Sequence, residues 1–217
     1  MGVSERRARE KEELRRKILG AASQLFVEEG FENVSIRKIA DRIEYSPATI
    51  YLYFKDKAEL IAAICEDSFS ELLEAVSGAD QETDPLRALR RGLRAYIEFG
   101  LSHPHHYLVV FGVLHPKENP QTDHDPPQRM PGLEAFDALR AAIAGCMKAG
   151  VIAQGDIETA SQTTWMCVHG VTALLITQYE VNCSYFPWLD KGHLIDSSLD
   201  LVIAGLKNIG LVQPPQK

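Results

Sequence analysis

Hydrophobic and polar positions along this chain repeat almost everywhere at intervals of three and four, the period of a helix with one buried face. Leu14, Ile18, Ala21, Ala22, Leu25 and Phe26 outline the first stripe, and Gly30 follows where a left-handed C-terminal residue is wanted. A shorter stripe starts behind Ser35, a good N-cap, and runs through Ile36, Ile39, Ala40 and Ile43, with Arg37, Lys38 and Arg42 off it. After Glu44-Tyr45, Ser46 offers another cap and Pro47 takes the first helical position, where its missing N–H costs nothing. Ile50 and Phe54, four apart, would pack inward, leaving Pro47, Ala48, Thr49, Tyr51 and Tyr53 to the flanks and outer face. Asp56, with Glu59 three residues on, caps a fourth predicted helix through Leu60, Ile61 and Ile64 towards Val76.

Beyond Asp84-Pro85, a helix is predicted on Leu86, Leu89, Leu93, Tyr96, Ile97 and Phe99; His103-Pro104 ends it and opens a short apolar stretch from Tyr107 to Leu114. Residues 116–131 are proline-rich and polar and read as a loop. Leu133, Phe136, Leu139, Ile143 and Met147 mark a helix that stops near Gly150. Asp156 caps the next, which carries Ile157, Trp165, Val168, Val171, Leu174, Leu175 and Tyr179 and is nearly apolar on all sides over 165–176, so it calls for burial everywhere. The last helix puts Leu194, Ile195, Leu199, Val202, Ile203, Leu206 and Ile209 on a broad stripe before Pro214-Pro215. No strand signal of any strength occurs, so the expected fold is all-α, with about nine helices. A three-helix head, 1–60, holds a helix-turn-helix motif at 35–54, and 61–217 forms a larger helical domain.

A chain of 217 residues with 45% hydrophobic content can bury a core in both parts. No apolar run is long enough for a membrane span and the first sixteen residues are charged throughout, which predicts a cytoplasmic protein. Cys65, Cys146, Cys167 and Cys183 stand singly in helical patterns, as reduced thiols filling core space would. The formal net charge of -7 opposes DNA binding until its distribution is seen. Residues 1–60 carry 12 Lys/Arg against 11 Asp/Glu, and the remainder 11 against 19, so the acidity belongs to the second part. Arg6, Arg7, Arg9, Lys11, Arg15, Arg16 and Lys17 suit an arm along a DNA backbone, but they interleave with Glu5, Glu10, Glu12 and Glu13, as in a solvated charged helix.

The string Ile18-Leu19-Gly20-Ala21-Ala22, Leu25-Phe26, Gly30-Phe31, Ser35-Ile36-Arg37-Lys38-Ile39-Ala40, Ser46 to Phe54 and Lys57-Ala58-Glu59-Leu60 resembles the tetracycline-repressor (TetR) family, with every landmark in the family's order. Two places depart from its pattern. Glu44-Tyr45 stands where a Gly and a small apolar residue are usual, and Pro47-Ala48 where Lys-Gly is common. The resemblance implies that Ser35, Tyr51, Tyr53 and Lys57 touch phosphates and that Pro47, Ala48 and Thr49 meet base edges in the major groove. With Arg37, Ser46 and Lys55 these make the candidate DNA-contacting set. The competing reading of Tyr51 and Tyr53 is that they cover the core of the head.

In the same resemblance the last two helices form a dimer interface and the preceding ones enclose a cavity. Trp165-Met166-Cys167-Val168-His169-Gly170 is similar to the Trp-His-Gly signature of one subgroup of these C-terminal domains. His169 falls one turn after Trp165, so both can project from one face, as a core pair or as part of an effector pocket. Tyr96, Phe99, Tyr107, Phe111 and Met166 are the other candidates for its wall, equally readable as core. His103, His105 and His106 invite a metal reading, but no Cys or paired carboxylate completes a ligand set. No cofactor and no catalytic residue is indicated, since no phosphate loop, nucleophile elbow or zinc-protease helix occurs.

The resulting expectation is a homodimeric transcriptional regulator, a repressor, binding a palindromic double-stranded operator and released by a small organic effector, with no membrane partner. A helical dimer serving protein interaction or ligand-independent regulation is the alternative, and an enzyme built on the histidine-rich segment a remote one.

Overall fold

The computed structural model describes residues 3–77, 82–113, 131–179 and 186–208. These form nine α-helices and no strand. Of the loop predicted over 116–131, residues 116–130, together with Leu114, Cys183, Ile209 and Pro214-Pro215, lie outside the described residues, and Pro131 instead opens a helix.

By its internal contacts the chain divides into two compact units. The first comprises residues up to Ser68 together with a second segment that begins at His103. Its longest element, α1 (Val3–Glu29), absorbs the charged N-terminal stretch into one continuous helix, on which Arg6 and Glu10 pair at 3.4 Å one turn apart. A 3-10 turn at Phe31–Asn33 leads to α2 (Ile36–Arg42) and α3 (Pro47–Tyr51). Helices of seven and five residues are far too short to persist alone, so packing must hold them. Their buried Ile39 and Ile50 meet Ile18, Ala22, Leu25 and Phe26 of α1 in one apolar cluster. Both caps form as expected: Ser35 Oγ accepts the N–H of Lys38, and Ser46 Oγ that of Thr49, each at 3.2 Å.

The fourth helix, α4 (Lys57–Ser77), begins with Asp56 Oδ1 accepting the Glu59 N–H at 2.9 Å while the Glu59 carboxylate reaches back to the N–H of Lys55. A bidentate pair between Arg15 of α1 and Asp67 of α4 clamps its first turns. The second segment of the unit is α6 (Pro104–Leu108), which runs into a π-helical turn, Val109–Val113. It packs on α1 and contributes fully buried Val109 to the cluster. A segment far along the chain is thus joined to the N-terminal unit by apolar contact.

Within the motif the turn after α2 has the hydrogen bonds of a Schellman motif: Tyr45 N–H to Ala40 C=O at 2.9 Å and Glu44 N–H to Asp41 C=O at 3.3 Å. Glu44 thereby takes φ = 63°, the left-handed region that favours glycine. The same motif ends α7 with Gly150 at φ = 69°. Compensation for the non-glycine residue comes from Lys17, whose Nζ donates to the Ile43 carbonyl at 3.3 Å and lies 5.3 Å from the Tyr45 ring centroid.

The second unit contains α5 (Pro85–Ser102), α7 (Pro131–Lys148), α8 (Ile157–Leu174) with a π-helical continuation Leu175–Tyr179, and α9 (Lys191–Asn208). Helix α5 packs against α7, α8 and α9, burying Leu89, Leu93, Tyr96, Ile97 and Phe99. Arg90 ties it to α9 through Asp196 at 3.0 Å and Asp200 at 2.8 Å, and Arg94 adds a second bond to Asp196. Helix α8 departs from the expected burial on every side. Its inner face carries Ser161, Thr164 and Thr172, the hydroxyls of Ser161 and Thr172 each donating to the carbonyl four residues back, while Met166 is 66% and Leu174 53% exposed. Cysteines divide likewise: Cys146 is buried and Cys65 half-buried, but Cys167 is exposed rather than a filler of core space. Among the described residues no helix is long and apolar enough to cross a membrane.

The left-handed Glu44 gives a stability prediction. An L-residue there costs about 1–2 kcal/mol, offset in a glycine by about 0.5–1 kcal/mol of unfolded-chain entropy. Glu44→Gly should leave the head equally stable or stabilise it by up to about 1 kcal/mol, and Glu44→Val should destabilise it by about 1 kcal/mol or more. Urea unfolding followed by circular dichroism checks both; a Val variant as stable as the Gly variant would contradict the strained turn.

Candidate nucleic-acid interface

Burial of Ile50 and Phe54, 0% and 4% exposed, fixes which way α3 faces. Ala48, Thr49 and Leu52 occupy the opposite side by their three- and four-residue spacing. Ala48 is exposed, Thr49 is half-buried at its cap bond, and Leu52 is 81% exposed. Leu52 was not among the candidate contacts. Its position four residues after Ala48 and three after Thr49 is the signal that identifies it. Pro47 and Tyr51 share a flank, and Tyr51 is 57% exposed. Tyr53 instead is half-buried against the head's apolar cluster, its ring 6.5 Å from that of Phe54, so the two tyrosines part company.

Beside α3 lies an open groove of about 570 Å³ that brings Ser35, Tyr51, Lys55 and Lys57 together with the first turns of α2 and α4. Glu32 and Asp56 also line it, so the positive charge on offer there is that of Lys55 and Lys57. Lys57 is held at its edge, donating to the Phe31 carbonyl at 2.8 Å with its ammonium 4.1 Å from the Phe31 ring centroid. On α2 the cations are sorted. Lys38 pairs with Glu29 and Arg42 with Glu28 at 2.9 Å, whereas Arg37 is exposed and makes no ion pair among the described residues. Arg42 and Gln24 hydrogen-bond Glu28 and hold its carboxyl below the usual range, which keeps Arg42 engaged.

The residues proposed for an effector pocket divide between the two units. In the second, Trp165 Nε1 donates to the Tyr96 hydroxyl at 3.2 Å, and that hydroxyl lies 3.2 Å from His169 Nδ1. Trp165 and His169, one turn apart, have ring centroids 5.6 Å apart, and Phe136 meets Trp165 edge-on at 6.2 Å. Burial pushes the His169 pKa down. Neutral His169 protonated at Nε2 completes a directed chain in which Trp165 donates to Tyr96 and Tyr96 to His169. Phe99 is buried in the same unit, whereas Met166, next to Trp165 but about 100° round the helix, faces outward. Tyr107, 1% exposed, and Phe111, at 4.8 Å from its ring, belong to the first unit. Among the described residues no group of three His, Cys, Asp or Glu side chains could hold a metal ion.

Residues 18–64 match the family model described as bacterial regulatory proteins, tetR family, and residues 89–181 match that of the tetracyclin repressor-like C-terminal domain. The chain belongs to the TetR family. It is 29% identical to the HTH-type transcriptional regulator AcrR of Shigella flexneri, over 66% of this chain and 68% of that one. To the HTH-type transcriptional activator FasR of Mycolicibacterium smegmatis it is 30% identical, over 46% and 47%. Solved structures agree in fold. The TetR regulator PfmR of Thermus thermophilus superposes with a TM-score of 0.66 at 21% identity, covering 88% of this chain and 99% of that one. The fatty acid degradation regulator FadR of Bacillus halodurans does so with 0.66 at 18% identity, covering 88% and 98%. As a TetR protein the chain is a DNA-binding helix-turn-helix transcriptional regulator and not an enzyme.

Two half-buried histidines predict how this TetR protein responds to acid. Desolvation, with the neighbouring His103 charge next, lowers the pKa of His106, which lies within reach of Asp67 and His105; desolvation lowers that of His169. Both groups therefore bind protons more readily in the unfolded chain, and stability falls as the pH drops below the ordinary histidine value of 6.5. The thermal midpoint should fall between about pH 7.5 and about pH 5.5, where carboxylates stay ionised, and His106→Gln and His169→Gln should each flatten that fall. A slope unchanged in both variants would count against it.

Proposed function

We propose that this TetR regulator is a homodimeric, one-component repressor that binds a palindromic operator through α3 and the adjoining groove and is released by a small organic effector. The outward face of α3 carries this reading: Ala48, Thr49 and Leu52 are presented while Ser35, Tyr51, Lys55 and Lys57 gather beside them. Base edges meet the first group and phosphates the second. Arg37 and Ser46, both exposed, add to the proposed contacts. Residues 1–60 form the reading head of this proposal and 61–217 the effector-binding and dimerising part.

Support for the dimer comes from the inverted face of α8. A helix that turns satisfied hydroxyls inward and Met166 and Leu174 outward, beside an α9 whose Leu201 is 75% exposed, has the surface a two-fold interface requires. The effector reading rests on the Tyr96–Trp165–His169 chain, an aromatic setting with a few fixed polar atoms. Release then follows from population shift: the effector binds better to a conformation whose two heads no longer match adjacent major grooves. Helix α4 begins in the first unit and ends in the second, which suits it to transmit the change.

Electrophoretic retardation of the DNA flanking its own gene is the direct test; no sequence-specific shift at moderate salt would sink the proposal. Lys55→Ala removes one phosphate contact per protomer and should lower the slope of log K against log salt by about 1.8 for the dimer without changing site preference. Leu174→Glu combined with Leu201→Glu should yield monomers in sedimentation and weaken operator binding more than about tenfold, because a single head makes half the contacts. Dimers that persist in this variant would place the interface elsewhere.

A further inference from the structure

We propose that α3 recognises its operator through the C5-methyl groups of thymines, contacted by Ala48, the Cγ2 methyl of Thr49 and Leu52, rather than through hydrogen bonds to base edges. This rests on the reading of α3 as the major-groove element. Direct hydrogen-bond readout is strongest from Arg or Lys to guanine, Asn or Gln to adenine and Asp or Glu to cytosine, with Ser and Thr hydroxyls able to serve more weakly. From Ser46 to Phe54 there is none of the first six residue types. The polar side-chain atoms there are four hydroxyls, and two are already committed: Ser46 Oγ and Thr49 Oγ1 lie 2.9 Å apart, and Ser46 Oγ also accepts the Thr49 N–H. With its oxygen turned to Ser46, Thr49 keeps its methyl branch for the groove. Tyr51 lines the groove beside α3, where phosphates are expected.

What remains on the outward face is apolar, and its largest member is the 81% exposed Leu52, which packs on nothing in the head's core. Thymine is the one standard base that presents a methyl group in the major groove. Seating it against Ala48, Thr49 and Leu52 removes apolar surface of both partners from water. A cytosine at the same position offers only a C–H, so the helix discriminates A·T from G·C without a hydrogen bond.

The test uses the full-length protein and sites selected from a randomised duplex library at roughly physiological salt. In a selected site each thymidine is replaced in turn by deoxyuridine, which removes the methyl group and keeps every hydrogen-bonding atom. Affinity by fluorescence anisotropy should weaken about 3- to 10-fold at one or more thymines per half-site and stay unchanged in the flanks. Thr49→Ser keeps the hydroxyl of the cap and loses only the methyl, and Leu52→Ala trims an exposed side chain, so both variants should fold. Each should lose part of the deoxyuridine penalty. A selected site whose affinity is indifferent to deoxyuridine everywhere would overturn methyl recognition alone, and a penalty undiminished in both variants would overturn its assignment to these residues. A library that yields no selected site would overturn the reading of α3 as the operator-reading element and this inference with it.

Discussion

Burial of Ile50 and Phe54 against α1 is the constraint on which the head depends. Neither α2 nor α3 is long enough to hold its own shape, and caps at Ser35 and Ser46 decide only where each begins. Once Ile39, Ile50 and Phe54 are seated beside Ile18, Ala22 and Phe26, rotation of α3 about its axis is no longer free. Its opposite side must then carry Ala48, Thr49 and Leu52. The apolar core and the surface proposed to face DNA are thus two consequences of one helix orientation.

Charge is organised around that orientation. Between α2 and α1 the pairs Lys38–Glu29 and Arg42–Glu28 neutralise two cations, while Lys55 lines the groove proposed to take phosphates. The overall charge of -7 therefore says little about binding, because the acidic surplus sits beyond residue 60. Similar sorting stabilises the second unit, where Arg90 and Arg94 of α5 hold Asp196 below the usual carboxyl range and so fasten α9.

The α-helical content and the caps were legible in the residues. A helix stopped near Gly150 as expected and both serine caps formed, while Gly30, wanted as a left-handed residue, took the positive φ of 81° but a ψ of 149° outside the left-handed helical region. The strained turn was legible only as a departure: Glu44 stood where a glycine is usual, and its positive φ needed the backbone to show it. The site was harder. Ser35, Tyr51, Lys55 and Lys57 come from two helix starts and the end of a third, so their convergence depends on packing. Leu52 escaped because an apolar residue in a helical pattern reads as core by default. Tyr96 meets Trp165 and His169 across a separation of about seventy residues, beyond any local period.

By itself, then, the sequence determined what depends on near neighbours: helix periods, caps, breaks, the helix-turn-helix motif and the family it resembles. The inward stripes of α1, α2, α3 and α5 were also legible, but tertiary structure alone decided which side of α8 is inside. It turned the hydroxyls of Ser161, Thr164 and Thr172 inward with Val168 and left Met166 and Leu174 outward, an arrangement that a helix apolar on all sides does not announce, and the hydroxyls of Ser161 and Thr172 satisfy themselves on their own helix. It also joined α6 to α1 across more than seventy residues, through apolar contacts that carry no sequence period. Local order is written in short-range sterics and hydrogen bonds; facing and partnership belong to burial, which only the whole chain can arrange.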